Sequence, residues 1–516
     1  MRATNHMNII DSKLESLSQT NVGDLFTSSR DGHMLALVYL SAPAIVFLMT
    51  FIQPAIGIAA SILVAAAVIQ NLIKKRDNNL PPLAILVPFI GCLTLLWIVG
   101  FVRDTYSWDW IKHWALINEL ASHDWPLSLD LRGSTHHLRY YLGAYLIPAL
   151  THKLAPAIPV SMAFCAWIGI GYFLVLRVIS GTTTRKHGAW LAVALLLMMG
   201  GADFYAEHLY RLAHGLPSLP YLGLHYENWA FSTIRLPLEY SSILVGLLWV
   251  PHQSIATFLV AGMLILQRDP KGLPAAILGF GLLSLWSPYG MIGLLPLMIV
   301  IAWRHRGTIL QRSSWLSMFS GVGFSLIMVC YLSSDMPEAG ACLTCLFDRA
   351  LRLDNFILFW LVELGIFILI LRSRMISDVA CLISFITLLV LPLLYGNTPD
   401  FVMRASLGPL FILSLRSVQT IMEPIAEKKH LFTHRALQIM ALALCIPASA
   451  SQIVYQKDEG AAHRNLASDD FLSSNWMHTF AIGHAYSAED FFDICSWRYK
   501  SQYFSKERPR FVRANE

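Results

Sequence analysis

The chain has 516 residues, of which 55% are apolar and 14% charged, with a mean hydropathy of +0.54. Soluble domains carry roughly 25% charged residues, so an ordinary soluble enzyme is excluded. The 38 basic and 33 acidic residues leave a formal charge of +5, too small for this length to point to a nucleic-acid partner.

In chain order, residues 1–33 are mixed polar sequence, expected to form a cytoplasmic amino-terminal segment. The first apolar run, 34–52, is long enough to stay in a bilayer, so no cleavable signal is expected. Twelve further apolar stretches follow at 55–73, 82–102, 158–176, 189–203, 252–267, 273–287, 289–303, 314–333, 354–371, 378–396, 406–424 and 435–451. The expected fold is an all-α polytopic membrane protein of about 13 transmembrane helices spanning 34–451. Basic residues mark alternate connections: Lys74, Lys75 and Arg76; Arg177, Arg185 and Lys186; Arg268 and Lys271; Arg304, Arg306 and Arg312; Arg372 and Arg374; Lys428, Lys429 and Arg435. By the positive-inside rule these connections and the amino terminus are cytoplasmic, in a plasma or bacterial inner membrane. That series is kept only if 136–157 does not cross, so this stretch is expected as a surface helix with Tyr140, Tyr141 and Tyr145 at headgroup level. An odd count then puts the tail, 452–516, on the extracytoplasmic side.

The opposite face carries long loops, chiefly 103–157 and 204–251, too aromatic for disorder. Five cysteines, Cys92, Cys165, Cys330, Cys381 and Cys445, lie in apolar runs and read as small core residues. Cys342 and Cys345 form a lone CxxC without a second pair, so they read as a local disulfide or plain thiols and not as a zinc site.

The first outer loop is the richest. Asp104 follows the third apolar stretch, and the segment continues through Tyr106, Trp108, Asp109, Trp110, Lys112, His113 and Trp114. If 108–120 is helical, Asp109 shares a face with Lys112 or His113. A partly desolvated carboxylate there can act as a general base on a hydroxyl, while neighbouring cations stabilise a phosphate leaving group. The bland alternative is an interfacial tryptophan belt with aspartates as helix caps. His113, His123, His136 and His137 have no metal-ligand spacing, and no metal site is assigned.

Two further constellations suit a lipid phosphate. Asp400 and Arg404 are spaced four apart at the start of the twelfth apolar stretch, and an arginine at the membrane surface can take a phosphate bidentately. Trp249, Val250 and Pro251 interrupt the apolar stretch from 240 to 266, leaving His252 and Gln253 facing any cavity at the break. The competing readings are a snorkelling surface arginine and a hydrogen-bonded core histidine. Arg416, inside the twelfth stretch, is expected to snorkel towards the cytoplasmic end.

The run from Asp104 through Trp108, Asp109 and His113, then Trp125-Pro126 and Tyr140-Tyr141 before the next apolar stretch, resembles the first external loop of GT-C type glycosyltransferases. The thirteen-span layout is similar to their oligosaccharyltransferase branch. The chain departs from that branch in lacking a WWD-type motif in the tail, and Asp203, Glu207, Glu227 and Glu239 are merely acidic residues of the second loop. The resemblance implies transfer of a sugar from a polyprenyl phosphate or diphosphate to a glycan, lipid or protein acceptor outside the membrane, and leaves a divalent metal open as cofactor. Carried over, Asp104 is the catalytic base, with Asp109 the second candidate. Arg404, His252, Arg139, His113 and Lys112 are expected to hold the donor phosphate, and Tyr106, Trp108, Gln253 and Asp400 to contact substrate. The alternatives are a transporter or lipid-linked saccharide flippase, for which one interrupted helix instead of two is a poor match, and an oligosaccharide ligase or polymerase.

Overall fold

The computed structural model describes residues 30–73, 83–101, 110–131, 134–181, 188–234, 236, 238–266, 270–333, 353–394, 399–423, 431–462 and 504–505. The helices are α1 (Arg30–Phe51), α2 (Pro54–Leu72), α3 (Leu83–Val99), α4 (Trp110–Ser122), α5 (Leu146–Leu154), α6 (Val160–Ser180), α7 (Gly188–Leu197), α8 (Asp203–Ala213) and α9 (Trp229–Ile234). They continue as α10 (Ile243–Trp249), α11 (Pro251–Ile265), α12 (Leu273–Leu282), α13 (Pro288–Arg304), α14 (Arg312–Leu332), α15 (Leu353–Leu371), α16 (Val379–Leu394), α17 (Pro399–Met422) and α18 (Leu431–Ala462). Each of the thirteen apolar stretches is helical.

Seven of these helices, within α1, α2, α6, α14, α15, α17 and α18, are long and apolar enough to cross a membrane. The other six, in α3, α7, α11, α12, α13 and α16, are apolar but shorter, at 10 to 17 residues. The chain is an all-α membrane protein. Its exposed side chains agree: Ile58, Ile62 and Ile69 on α2 and Phe319, Leu326 and Val329 on α14 all face outward, as suits lipid and not water.

Prolines open α2, α11, α13 and α17, where the missing N–H costs nothing and the fixed φ favours the first turn. α17 is the hub, packed against α7, α11, α13, α15 and α16. Of its best spanning window 83% is buried, against 33% for α2 and α14, and it is the least hydropathic of the seven at 1.3. With no hydrophobic force between helices in lipid, close backbone approach does much of the packing. At Gly293 of α13 an added Cβ would collide with the Ala405 carbonyl of α17, so only glycine lets these helices meet there.

The segment 136–157 is a correction to the expected surface helix. His136 to Leu138 belong to an antiparallel hairpin of β1 (Ser128–Leu131) and β2 (Ser134–Leu138), with Ser128 opposite His137 and Leu131 opposite Ser134. β3 (Phe504–Ser505) pairs with the far edge of β2. The polar-apolar alternation of Ser128 to Leu131 and the glycine at 133 are strand and turn signals that the aromatic run obscured. Only α5 is helical, nine residues long. Tyr140, Tyr141 and Tyr145 are buried, not at a headgroup surface. Trp110 and Trp114 are likewise fully buried instead of forming an interfacial belt. At the other end, α18 runs past 451 to Ala462.

Candidate functional site

Three helix starts meet at the end of the bundle that carries the long loops. α10 stops at Trp249 and α11 restarts at Pro251, which puts His252 and Gln253 in the first turn of α11. Ser287 caps α13, its hydroxyl accepting from Gly290 N at 3.0 Å. Arg404 lies in the second turn of α17. Because α11, α13 and α17 pack on one another, these side chains converge.

Tyr141 joins them. Its hydroxyl accepts from Arg404 Nη1 at 2.8 Å and from Gln253 Nε2 at 3.0 Å. Gln253 Oε1 accepts from the Ser287 hydroxyl at 3.2 Å, and Gln253 Nε2 lies 3.0 Å from His252 Nε2. The His252 ring stacks on Tyr141 with an interplanar angle of 6° and sits 4.4 Å from the His113 ring, centroid to centroid. His113 Nδ1 is 2.6 Å from the Tyr145 hydroxyl. All of these side chains are buried. Each helix start carries roughly half a positive charge from its unpaired N–H groups, and a guanidinium beside them makes the place electropositive. Such a junction can hold a phosphate or another anion, and its linked histidines and phenols can pass a proton.

The structure therefore brings together Arg404, His252, Gln253 and His113. Arg139 is buried one residue before Tyr140 and beside Tyr331 of α14, whose hydroxyl donates to Leu138 O at 2.8 Å. Asp104, Tyr106, Trp108 and Asp109 lie outside the described residues, as do Cys342 and Cys345. Lys112 and Asp400 fall on α4 and α17 by backbone, with their side chains outside the described set. Arg416 reaches towards the basic connection between α15 and α16, where its Nε is 3.0 Å from Asp378 Oδ2 and its Nη1 donates to Gln419 Oε1 at 2.8 Å.

A second group of polar side chains lies on the same end of the bundle. Asp203, at the start of α8, and Glu227, in the 3-10 turn Tyr226–Asn228, are buried with Glu239 and with Glu363 from the interior of α15. These acidic loop residues are thus not scattered. Burial pushes the Asp203 carboxyl up to about 7 and the Glu227 carboxyl well above the usual range. Trp229 Nε1 donates to Glu363 Oε1 at 3.2 Å, and Glu227 Oε2 accepts from Ser242 N at 2.9 Å. Among the described residues no trio of His, Cys, Asp or Glu is arranged to hold a metal.

Sequence reasoning missed Glu363, Ser287 and the roles of Tyr141 and Tyr145. Glu363 had a usable signal, because an ionisable residue inside an apolar stretch is a functional flag by default. Ser287 and the tyrosines had none: serine before proline is an ordinary cap, and tyrosine near a span is an ordinary interface residue. Comparison with known protein families, curated proteins and solved structures finds no match.

Proposed function

We propose that the protein is a membrane glycosyltransferase that takes a sugar from a polyprenyl phosphate or diphosphate and transfers it to an acceptor hydroxyl on the extracytoplasmic face. The observation that carries this reading is the buried junction of Arg404, Tyr141, Gln253 and His252 at three helix starts. A guanidinium and helix N-termini favour the charge that grows on a departing phosphate.

An apolar groove supports the lipid part of the reading. It runs between α3 and α6, has a volume of about 760 Å³, and is lined by Phe89, Leu96, Met162, Ile170 and Phe101 among others. Phe101 leads from it to the junction, its ring 5.1 Å from Trp110, which lies 5.4 Å from His113. A prenyl chain in the groove would have its head near these rings. In this reading all thirteen apolar helices cross, the basic connections face the cytoplasm, and Asp104 or Asp109 orients or deprotonates the acceptor.

The test is reconstitution in liposomes with labelled polyprenyl-phosphate sugars, scoring acceptor-bound or released product. Wild type should transfer label, and Arg404→Ala should lose at least tenfold, since tenfold corresponds to about 1.4 kcal/mol, below the worth of a hydrogen bond to a charged group. Label that crosses the membrane still attached to its lipid, without transfer, would replace this reading with lipid transport.

A further inference from the structure

Asp203 and Glu363 come from different elements and close on one point. A Cβ built on Gly201 would lie 2.5 Å from Glu363 Oε2, 2.8 Å from Asp203 Oδ1 and 3.0 Å from Asp203 Oδ2. The two carboxyls fill the space that a side chain at position 201 would occupy. Asp203 is 1% exposed, and among the described residues no donor meets either of its oxygens at full hydrogen-bond geometry, the Trp229 indole and its own backbone N–H lying nearest. Glu363 is as deeply buried, and Trp229 donates to its other oxygen. Two carboxylates cannot bond to one another; a carboxylic acid and a carboxylate can.

We propose that Asp203 and Glu363 form a proton-binding site, one proton held between the two carboxyls, and that this proton keeps α8 docked on α15. The bond balances simply: one carboxyl donates its O–H, the other accepts, and the pair keeps a single negative charge. Like charges this close in a buried site cannot both stay ionised. Among the described residues no cation relieves them. The remaining electrostatic influences on the pair are Glu239 for Asp203 and Glu227 for Glu363, both acidic.

The titratable groups on the neighbouring elements are otherwise engaged. On α8, Glu207 is paired with Arg211 at 3.3 Å and accepts from Thr233. Ahead of α10, Glu239 accepts from Ser241 and lies 3.8 Å from His225 Nε2. Tyr240, which faces Glu363, donates to Leu388 O, and α18 contributes the Cys445 thiol near Asp203.

Geometry gives the proton a structural consequence. Ala202 N donates to Val362 O at 3.0 Å, pinning the turn before α8 to the residue before Glu363. Loss of the proton would set two negative charges against that pin. Glu227 extends the effect, because it holds Ser242, whose side chain caps α10, and α10 ends just before His252.

Infrared spectroscopy of the purified full chain in nanodiscs, titrated from about pH 5 to about pH 9, tests the site directly. The expected result is a protonated-carboxyl C=O stretch that titrates within this range and is lost in both Asp203→Asn and Glu363→Gln. Amide hydrogen exchange of 203–213, corrected for intrinsic rates, should accelerate through the same midpoint in wild type and become independent of pH in Glu363→Gln. The wild-type spectrum needs no variant to fold. Absence of such a band, its persistence in both variants, or protection of 203–213 at fixed high pH by added sodium or calcium would overturn the proposal, the last by making the ligand a metal cation.

Discussion

Replacing Tyr141 with Phe removes one oxygen and leaves two buried donors without it. Arg404 Nη1 loses an acceptor at 2.8 Å and Gln253 Nε2 loses one at 3.0 Å. A hydrogen bond to a charged group contributes about 1.5 to 3 kcal/mol and a neutral one about 0.5 to 1.5 kcal/mol, so Tyr141→Phe should cost about 2 to 4 kcal/mol. Tyr205→Phe is the matched control, because the exposed Tyr205 hydroxyl is 3.4 Å from Ala443 O, near the limit of a hydrogen bond, and should cost less than about 1 kcal/mol. Reversible unfolding in mixed micelles measures both, and a cycle with Arg404→Gln isolates the Arg404 share, expected at about 1.5 to 3 kcal/mol. Equal losses for the two tyrosine variants, or a coupling energy near zero, would refute the idea that Tyr141 is the keystone of the junction.

Helix contact and pH give two more expectations. Gly293→Val should force α13 from α17 and cost at least about 3 kcal/mol, at or beyond the usual overpacking range, whereas Gly365→Val, with nothing within 4 Å of its Cβ, should fold at wild-type yield by size-exclusion chromatography. For Asp203 the sign follows from its raised carboxyl. Below about 3.8 folded and unfolded chains both hold the proton; between about 3.8 and about 7 only the folded chain does. Stability therefore falls as pH rises across that window and levels off above it, by about 4 kcal/mol at about 1.36 kcal/mol per unit. Unfolding midpoints measured against pH should show this slope in wild type and lose it in Asp203→Asn.

The helices were legible in the sequence because a bilayer imposes length and polarity on them: all thirteen apolar stretches are helical, seven of them long and apolar enough to cross a membrane, and the break at Pro251 falls where proline removes a donor. Hydropathy could not tell lipid-facing from protein-facing surface, so Arg404, Tyr141 and Trp110 could equally have been interfacial. Nor could it bring together distant groups. Asp203 and Glu363 are 160 positions apart, and nothing local in either segment records that α8 and α15 meet. The hairpin of β1 and β2 was hidden for a different reason: its strand alternation abuts an aromatic run that mimics a helix face.

The burial of α17 has a bearing on how the chain is made. A segment carrying Arg404 and Arg416 and clad almost wholly by neighbours is poorly suited to sit alone among acyl chains during synthesis. Its retention in the bilayer depends on helices already inserted, with α11 and α13 preceding it from the ribosome and offering the surfaces it needs. The least hydropathic of the seven long segments thus enters a berth that helices earlier in the chain have already formed.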